Sequence, residues 1–176
     1  GNQTKNIYNS LSGKLAVNSS GFSSIVSDFD RWGHPIYEAY RTFGGELVLV
    51  NGIAGRNAKF DRQGNIIEYD FFDTEWNACE NNDGVAGLKA EYNERGDQVK
   101  LSSYDLDGEL CLSVNGYAIT HNEYYDNCIE TTYYDVDGVP CNTVLGFHKA
   151  RALYNDYGLM HMLEFFNKGD SLCVAK

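Results

Sequence analysis

Basic charge is scarce in this chain: Lys and Arg together number 14 against 25 Asp and Glu, for a formal net charge of −11. Nucleic-acid binding driven by electrostatics needs a basic stripe that displaces counterions, so that class is excluded. The acidity is compatible with a basic partner or a divalent cation, but a solvated acidic surface that keeps the chain soluble accounts for it. Long apolar runs are also missing. No stretch approaches the ~20 apolar residues that cross a bilayer, so no membrane span is expected. Proline occurs only twice, beside thirteen tyrosines and nine phenylalanines, a balance that favours strands over helices or disorder. There is no Cys-x-x-Cys and no His-x-x-x-His spacing, so no metal site is expected and no cofactor is implied.

What the chain has instead is a repeat. A glycine followed by an apolar residue recurs at Gly21, Gly52, Gly84, Gly116 and Gly146, spaced 31, 32, 32 and 30 residues apart. Eight residues after each stands an aromatic: Phe29, Phe60, Tyr92, Tyr124 and Tyr154. Periods of this length denote an array in which no one repeat buries its apolar face alone. Residues 1–20 read as a partial leading repeat or cap, and 21–176 as the array, with repeats starting near 21, 52, 84, 116 and 146. The chain opens on Gly1 with no methionine, as a chain does after tag removal. Its last residues, Ser171–Lys176, stop partway through a repeat, either a true end or a cut through a longer array.

Within each repeat two extended segments are expected. The first are 22–29, 53–60, 85–92, 117–124 and 147–154; the second are 35–41, 66–72, 98–104, 129–134 and 159–166. In the second repeat Ala54, Ala58 and Phe60 share one strand face while Asn57 and Lys59 take the other. Asp or Asn opens the turn between the segments and Gly closes it, as in Asp30-Arg31-Trp32-Gly33 and Asp61-Arg62-Gln63-Gly64. Cys128 replaces that glycine in the fourth repeat, which is two residues shorter, so its turn must differ. The expectation is an all-β tandem array of about five β-hairpin repeats of 30–32 residues, single-layered or coiled into a solenoid.

The turn pieces spell an aromatic, Asp or Asn, two variable residues and Gly. Phe29-Asp30-Arg31-Trp32-Gly33, Phe60-Asp61-Arg62-Gln63-Gly64, Tyr92-Asn93-Glu94-Arg95-Gly96 and Tyr154-Asn155-Asp156-Tyr157-Gly158 carry the motif at the first turn. Tyr104-Asp105-Leu106-Asp107-Gly108 and Tyr134-Asp135-Val136-Asp137-Gly138 carry it at the second. This resembles the bacterial tandem β-hairpin repeats of the YD and WG type. The resemblance implies a surface or secreted protein, or a module standing beside unrelated domains, and it carries no catalytic role. Export follows from it, whereas unpaired cysteines favour a reducing compartment.

Cys79, Cys111, Cys141 and Cys173 each stand five residues before a repeat glycine or where one would fall, which makes a ladder of equivalent side chains a better reading than disulfides. Cys128 lies outside the ladder and is expected to be the exposed thiol. A thiol-dependent enzyme would pair Cys128 or Cys141 with His121, His148 or His161, but nothing around them resembles a nucleophile turn. The Asp-x-Asp-Gly pieces at 105–108 and 135–138 lack the later Glu of a calcium loop and read as turns. The rings that recur in register, Phe60, Tyr92, Tyr104, Tyr134 and Phe166, are expected to form a packing spine. Four irregular ones are candidate binding residues: Trp32, Trp76 and Tyr157 in turns, and Tyr125 beside Tyr124. The function expected is non-enzymatic: a repeat module of a larger or cell-surface protein that binds a protein or a glycan, a purely structural spacer being the alternative to binding.

Overall fold

The structure, a computed structural model, describes residues 3–7 and 16–175; half of the leading piece expected over 1–20 therefore lies outside the described residues. The fold is all-β. Twelve strands form one open antiparallel sheet whose strand order is the chain order, a hairpin meander, and no helix is present among the described residues. None is therefore long and apolar enough to cross a membrane. The strands are β1 (Gln3–Ile7), β2 (Ser24–Phe29), β3 (Pro35–Arg41), β4 (Gly55–Phe60), β5 (Ile66–Phe72), β6 (Gly87–Tyr92), β7 (Gln98–Tyr104), β8 (Ile119–Tyr125), β9 (Cys128–Tyr134), β10 (Lys149–Tyr154), β11 (Met160–Phe166) and β12 (Leu172–Cys173). Two compact units divide the chain, residues 1–88 and 89–176.

On β4 Ala58 is buried while Asn57 and Lys59 are exposed, as the sequence pattern has it, and Gly55, on the face of the latter two, is buried as well. Most of the hairpins close through one device. The residue that opens the turn donates its N–H to the carbonyl four residues on and accepts the N–H three residues on, as in Asp30 to His34 and Gly33, or Asp61 to Asn65 and Gly64. Its side-chain oxygen takes two further N–H groups: Asp61 Oδ1 accepts from Gln63 at 2.8 Å and Asn65 at 2.9 Å. The fourth residue turns left-handed, a type I turn followed by a glycine bulge. Gly33 has φ 92° and Gly64 φ 89°.

The repeat glycine itself closes another such turn, which the sequence reading treated as the start of a strand. Asn18 reaches Phe22 and Gly21, Asn81 reaches Val85 and Gly84, and Thr143 reaches Phe147 and Gly146. For that reason β2, β4, β6, β8 and β10 begin two residues later than expected, whereas β3, β5 and β7 start and stop where expected. The turn of the fourth repeat does differ: Asp126 and Asn127 alone separate the paired residues Tyr125 and Cys128.

These bonds make the turn carboxylates sensitive to acid. The Asn65 side-chain amide, then the backbone N–H groups, hold the Asp61 carboxyl below its ordinary value in spite of its partial desolvation. A carboxyl whose value is lowered on folding contributes stability above the unfolded value near 4, and that contribution is lost as pH falls through the folded value. Asn93 makes the same pair of backbone bonds without a charge, to Arg95 at 2.9 Å and Asp97 at 3.0 Å. Asp61→Asn is therefore expected to leave the melting temperature at pH 7 nearly unchanged and to blunt its fall below about pH 4. An unchanged acid limb in thermal melts across pH would contradict this.

In the first unit the core centres on Ala39 and Ala54, both 0 % exposed, and Phe72 at 5 %, with Tyr37 and Leu47 packed against them. Small residues let neighbouring strands and their turns close on the ring of Phe72. In the second unit the ring contacts run Tyr117–Tyr133 at 4.7 Å, Tyr133–Phe147 at 5.6 Å and Phe147–Phe165 at 4.4 Å. Those residues, rather than the expected Tyr104 and Tyr134, form the string of touching rings. Tyr104 instead receives the Lys89 ammonium 4.0 Å above its ring.

Candidate binding cleft

The candidate site lies in the first unit, where the turn 30–34 meets the turn 61–65. Asp30, Trp32, His34, Ile36, Phe60 and the 61–64 segment line a cleft of about 600 Å³. Its geometry begins with Asp30. One oxygen accepts the N–H groups of Trp32 and His34, each at 2.9 Å, and the other meets His34 Nδ1 at 2.9 Å. Desolvation works against the ionised carboxyl, but the His34 and Trp32 bonds prevail and hold it below the ordinary range. It stays an anion at neutral pH and fixes the imidazole edge-on.

The His34 ring is fixed a second time by stacking on Phe60, with centroids 4.7 Å apart and planes 15° apart. Gly64 supplies the third constraint. A Cβ there would stand 3.0 Å from His34 Nε2, so the glycine both accepts φ +89° and leaves room for the ring. A neutral imidazole that donates from Nδ1 to a carboxylate presents Nε2 as an acceptor. Trp32 is 68 % exposed. The Arg31 guanidinium lies 3.9 Å from its ring centroid, outside the cleft lining, and the His34 ring stands 6.5 Å from it at 35°.

The four candidate aromatics do not converge. Trp32 lines the cleft, whereas Trp76, 57 % exposed, joins a stacked cluster of three rings with Phe72 at 5.1 Å and Tyr37 at 6.1 Å. Trp76 also holds φ 70° at the turn position where Gly33 and Gly64 stand. A bulky side chain is a genuine outlier there, and the stack holds it. In the second unit, Tyr125 donates its hydroxyl to Glu123 at 3.1 Å at a hairpin end, and Tyr157 projects from its turn at 88 % exposure.

The burial of the cysteines departs from expectation. All five are free, and Cys128 is the buried one, while the other four are half-buried. The short turn places Cys128 opposite Tyr125, and β10 sets Leu153 against its other side, so neighbours on both flanks cover it. Burial, then the Glu130 carboxylate, push its thiol up, away from a reactive thiolate. His148 is buried, with Nδ1 against the Phe166 carbonyl at 3.1 Å and Nε2 3.7 Å from Asp170. Neither Cys79 nor Cys141 is a packed core residue; each thiol makes a weak contact, to the carbonyls of Gly52 at 3.8 Å and Gly116 at 3.5 Å. Among the described residues no cluster of His, Cys, Asp and Glu could hold a metal ion.

Sequence reasoning found Trp32 but missed His34 and Phe60 as its companions. The legible signal was positional: His34 occupies the turn position of Asn65 and Asp97, each of which also bonds the residue that opens its turn. Comparison with family models gives no match, and comparison with curated proteins gives none either.

Proposed function

We propose that the chain is a non-enzymatic interaction module, an array of about five β-hairpin repeats of 30–32 residues of the YD and WG kind, that binds a protein or a glycan. The observation that carries this reading is the cleft at Trp32, where an exposed indole borders a concave site with a fixed polar edge. A spacer has no need of such a site. A thiol-dependent enzyme gains nothing from the arrangement, since the Cys128 thiol is pushed up and the partners of His148 are Phe166 and Asp170. Membership of a larger, exported or cell-surface protein belongs to the same proposal and rests on the turn motif.

The test is a screen of the Trp76→Phe protein, in which Trp32 is the sole indole, against glycan and peptide arrays, repeated with Trp32→Ala. The expected result is a ligand whose capture falls at least about tenfold in Trp32→Ala, with a blue shift of Trp32 emission in the parent. Capture that is indifferent to Trp32, or none on either array, overturns the reading.

A further inference from the structure

Asp30, Asp61 and Arg62 line the cleft while Arg31 lies outside it against Trp32, so the lining nets one negative charge and an uncharged ligand meets it without repulsion. Both carboxylates are already engaged by their own turns, Asp30 by Trp32 and His34 and Asp61 by Gln63 and Asn65. Two groups remain for a ligand. With the neutral imidazole donating from Nδ1 to Asp30, His34 Nε2 is left as an acceptor on a ring fixed by that bond and by the Phe60 stack, and Arg62, which has no ion pair among the described residues, is a donor. A ligand that meets all of this has one flat apolar face for the exposed Trp32 indole and edge groups that both give and take hydrogen bonds. Proline or phenylalanine supplies the face but leaves His34 Nε2 unanswered, at the cost of a desolvated acceptor, and tyrosine or tryptophan brings a single polar group for an edge that offers both an acceptor and a donor. A sugar ring supplies both, its C–H face for the indole and its hydroxyls for the edge.

We infer that the cleft takes a neutral pyranose ring stacked on Trp32, one hydroxyl of which donates to His34 Nε2. This rests on the binding-module reading and adds the ligand class and its specificity-determining residue. Asp30 and Phe60 act through His34 as positioning residues.

The experiment titrates the full chain, as Trp76→Phe, with maltose, cellobiose and lactose to about 10 mM by calorimetry and Trp32 fluorescence, which reaches Kd values in the millimolar range. At least one sugar is expected to bind, with binding about tenfold weaker in Trp32→Ala. His34→Asn is expected to bind about three- to tenfold more weakly, the loss of one hydrogen bond. That variant should fold, because Asn65 makes the equivalent bond to Asp61 at 2.9 Å. A readout that needs no variant is the 15N resonance of His34 Nε2, which is expected to move on titration. Binding unaffected by His34→Asn together with a still Nε2 resonance, or no binding by any of the sugars, overturns the inference. Peptide capture that depends on Trp32 without sugar binding removes the pyranose and leaves the module reading standing. Sugar binding indifferent to Trp32 removes both.

Discussion

Phe72→Ala is expected to cost about 3–5 kcal/mol, the range for deleting a buried phenylalanine ring. Phe72 is 5 % exposed and closes the core of the first unit over Ala39 and Ala54. Alanines have no side-chain reach with which to collapse into the vacated space, so the cavity term persists beside the lost transfer energy. The ring also forms a triangle of stacked rings with Tyr37, at 5.6 Å with planes 2° apart, and Trp76, at 5.1 Å, which themselves stand 6.1 Å apart. Removing it takes away the nearer of the two rings packed on Trp76, which holds φ 70°, so the turn 73–77 is expected to relax at the same time. Against a total stability of about 5–15 kcal/mol, the loss removes a large fraction of the fold's margin. Urea denaturation measures it as a shift in midpoint, with near-UV circular dichroism reporting release of the indole. A loss below about 1 kcal/mol would mean that the ring is not the keystone of this core.

The fold was legible where local chemistry decides it. Glycine spacing, Asp or Asn five positions before a strand, and small residues alternating with polar ones placed β3, β5 and β7 at their observed bounds. The same local logic stood at the repeat glycines and was overlooked. Asn18, Asn81, Ser113 and Thr143 stand three residues before Gly21, Gly84, Gly116 and Gly146, and each opens a turn. Those openers are less uniform than the Asp and Asn of the other turns. Val50 takes the place by way of Asn51 and Gly52, at φ 52° and 86°, so the pattern is masked in the second repeat.

The site was legible only in part, because pairing between repeats creates it. Trp32 stood out as an odd residue inside a turn. His34 did not, since its role depends on a ring from the following hairpin, Phe60, and on the missing side chain of Gly64, residues 26 and 30 positions away by number. Cys128 reads as exposed by its place next to a turn. Burial came from cross-strand neighbours on both sides, Tyr125 and Leu153, which only the sheet register supplies. In an open meander, what is local in sequence sets the turns, and what lies one hairpin away sets burial and chemistry.

Gly55 makes the second large prediction, and its reason is also a neighbour one hairpin away. Its backbone needs no left-handed conformation; what it needs is space. A Cβ at this position would lie 2.2 Å from the Glu38 carbonyl oxygen and 2.3 Å from the Phe72 ring tip. The Phe72 side chain can shift, but the Glu38 carbonyl belongs to the β3–β4 pairing, in which Ala39 faces Gly55 and Glu38 faces Arg56. Even Gly55→Ala must therefore push β3 from β4, displacing the Glu38–Arg56 ion pair whose NH2–Oε2 distance is 2.5 Å. The expected loss is about 3 kcal/mol, the upper end for one added carbon in a packed interior. Gly55→Val should be worse than Gly55→Ala, the reverse of strand propensity, because close approach and not propensity decides here. Combining Gly55→Ala with Phe72→Ala separates the two contacts. The double variant should recover the part due to the ring, so its loss is smaller than the sum of the singles, while the clash with the Glu38 carbonyl remains. Urea midpoints for the four proteins of that cycle give the coupling directly. Strict additivity would show that the ring and the missing Cβ do not compete for the same space.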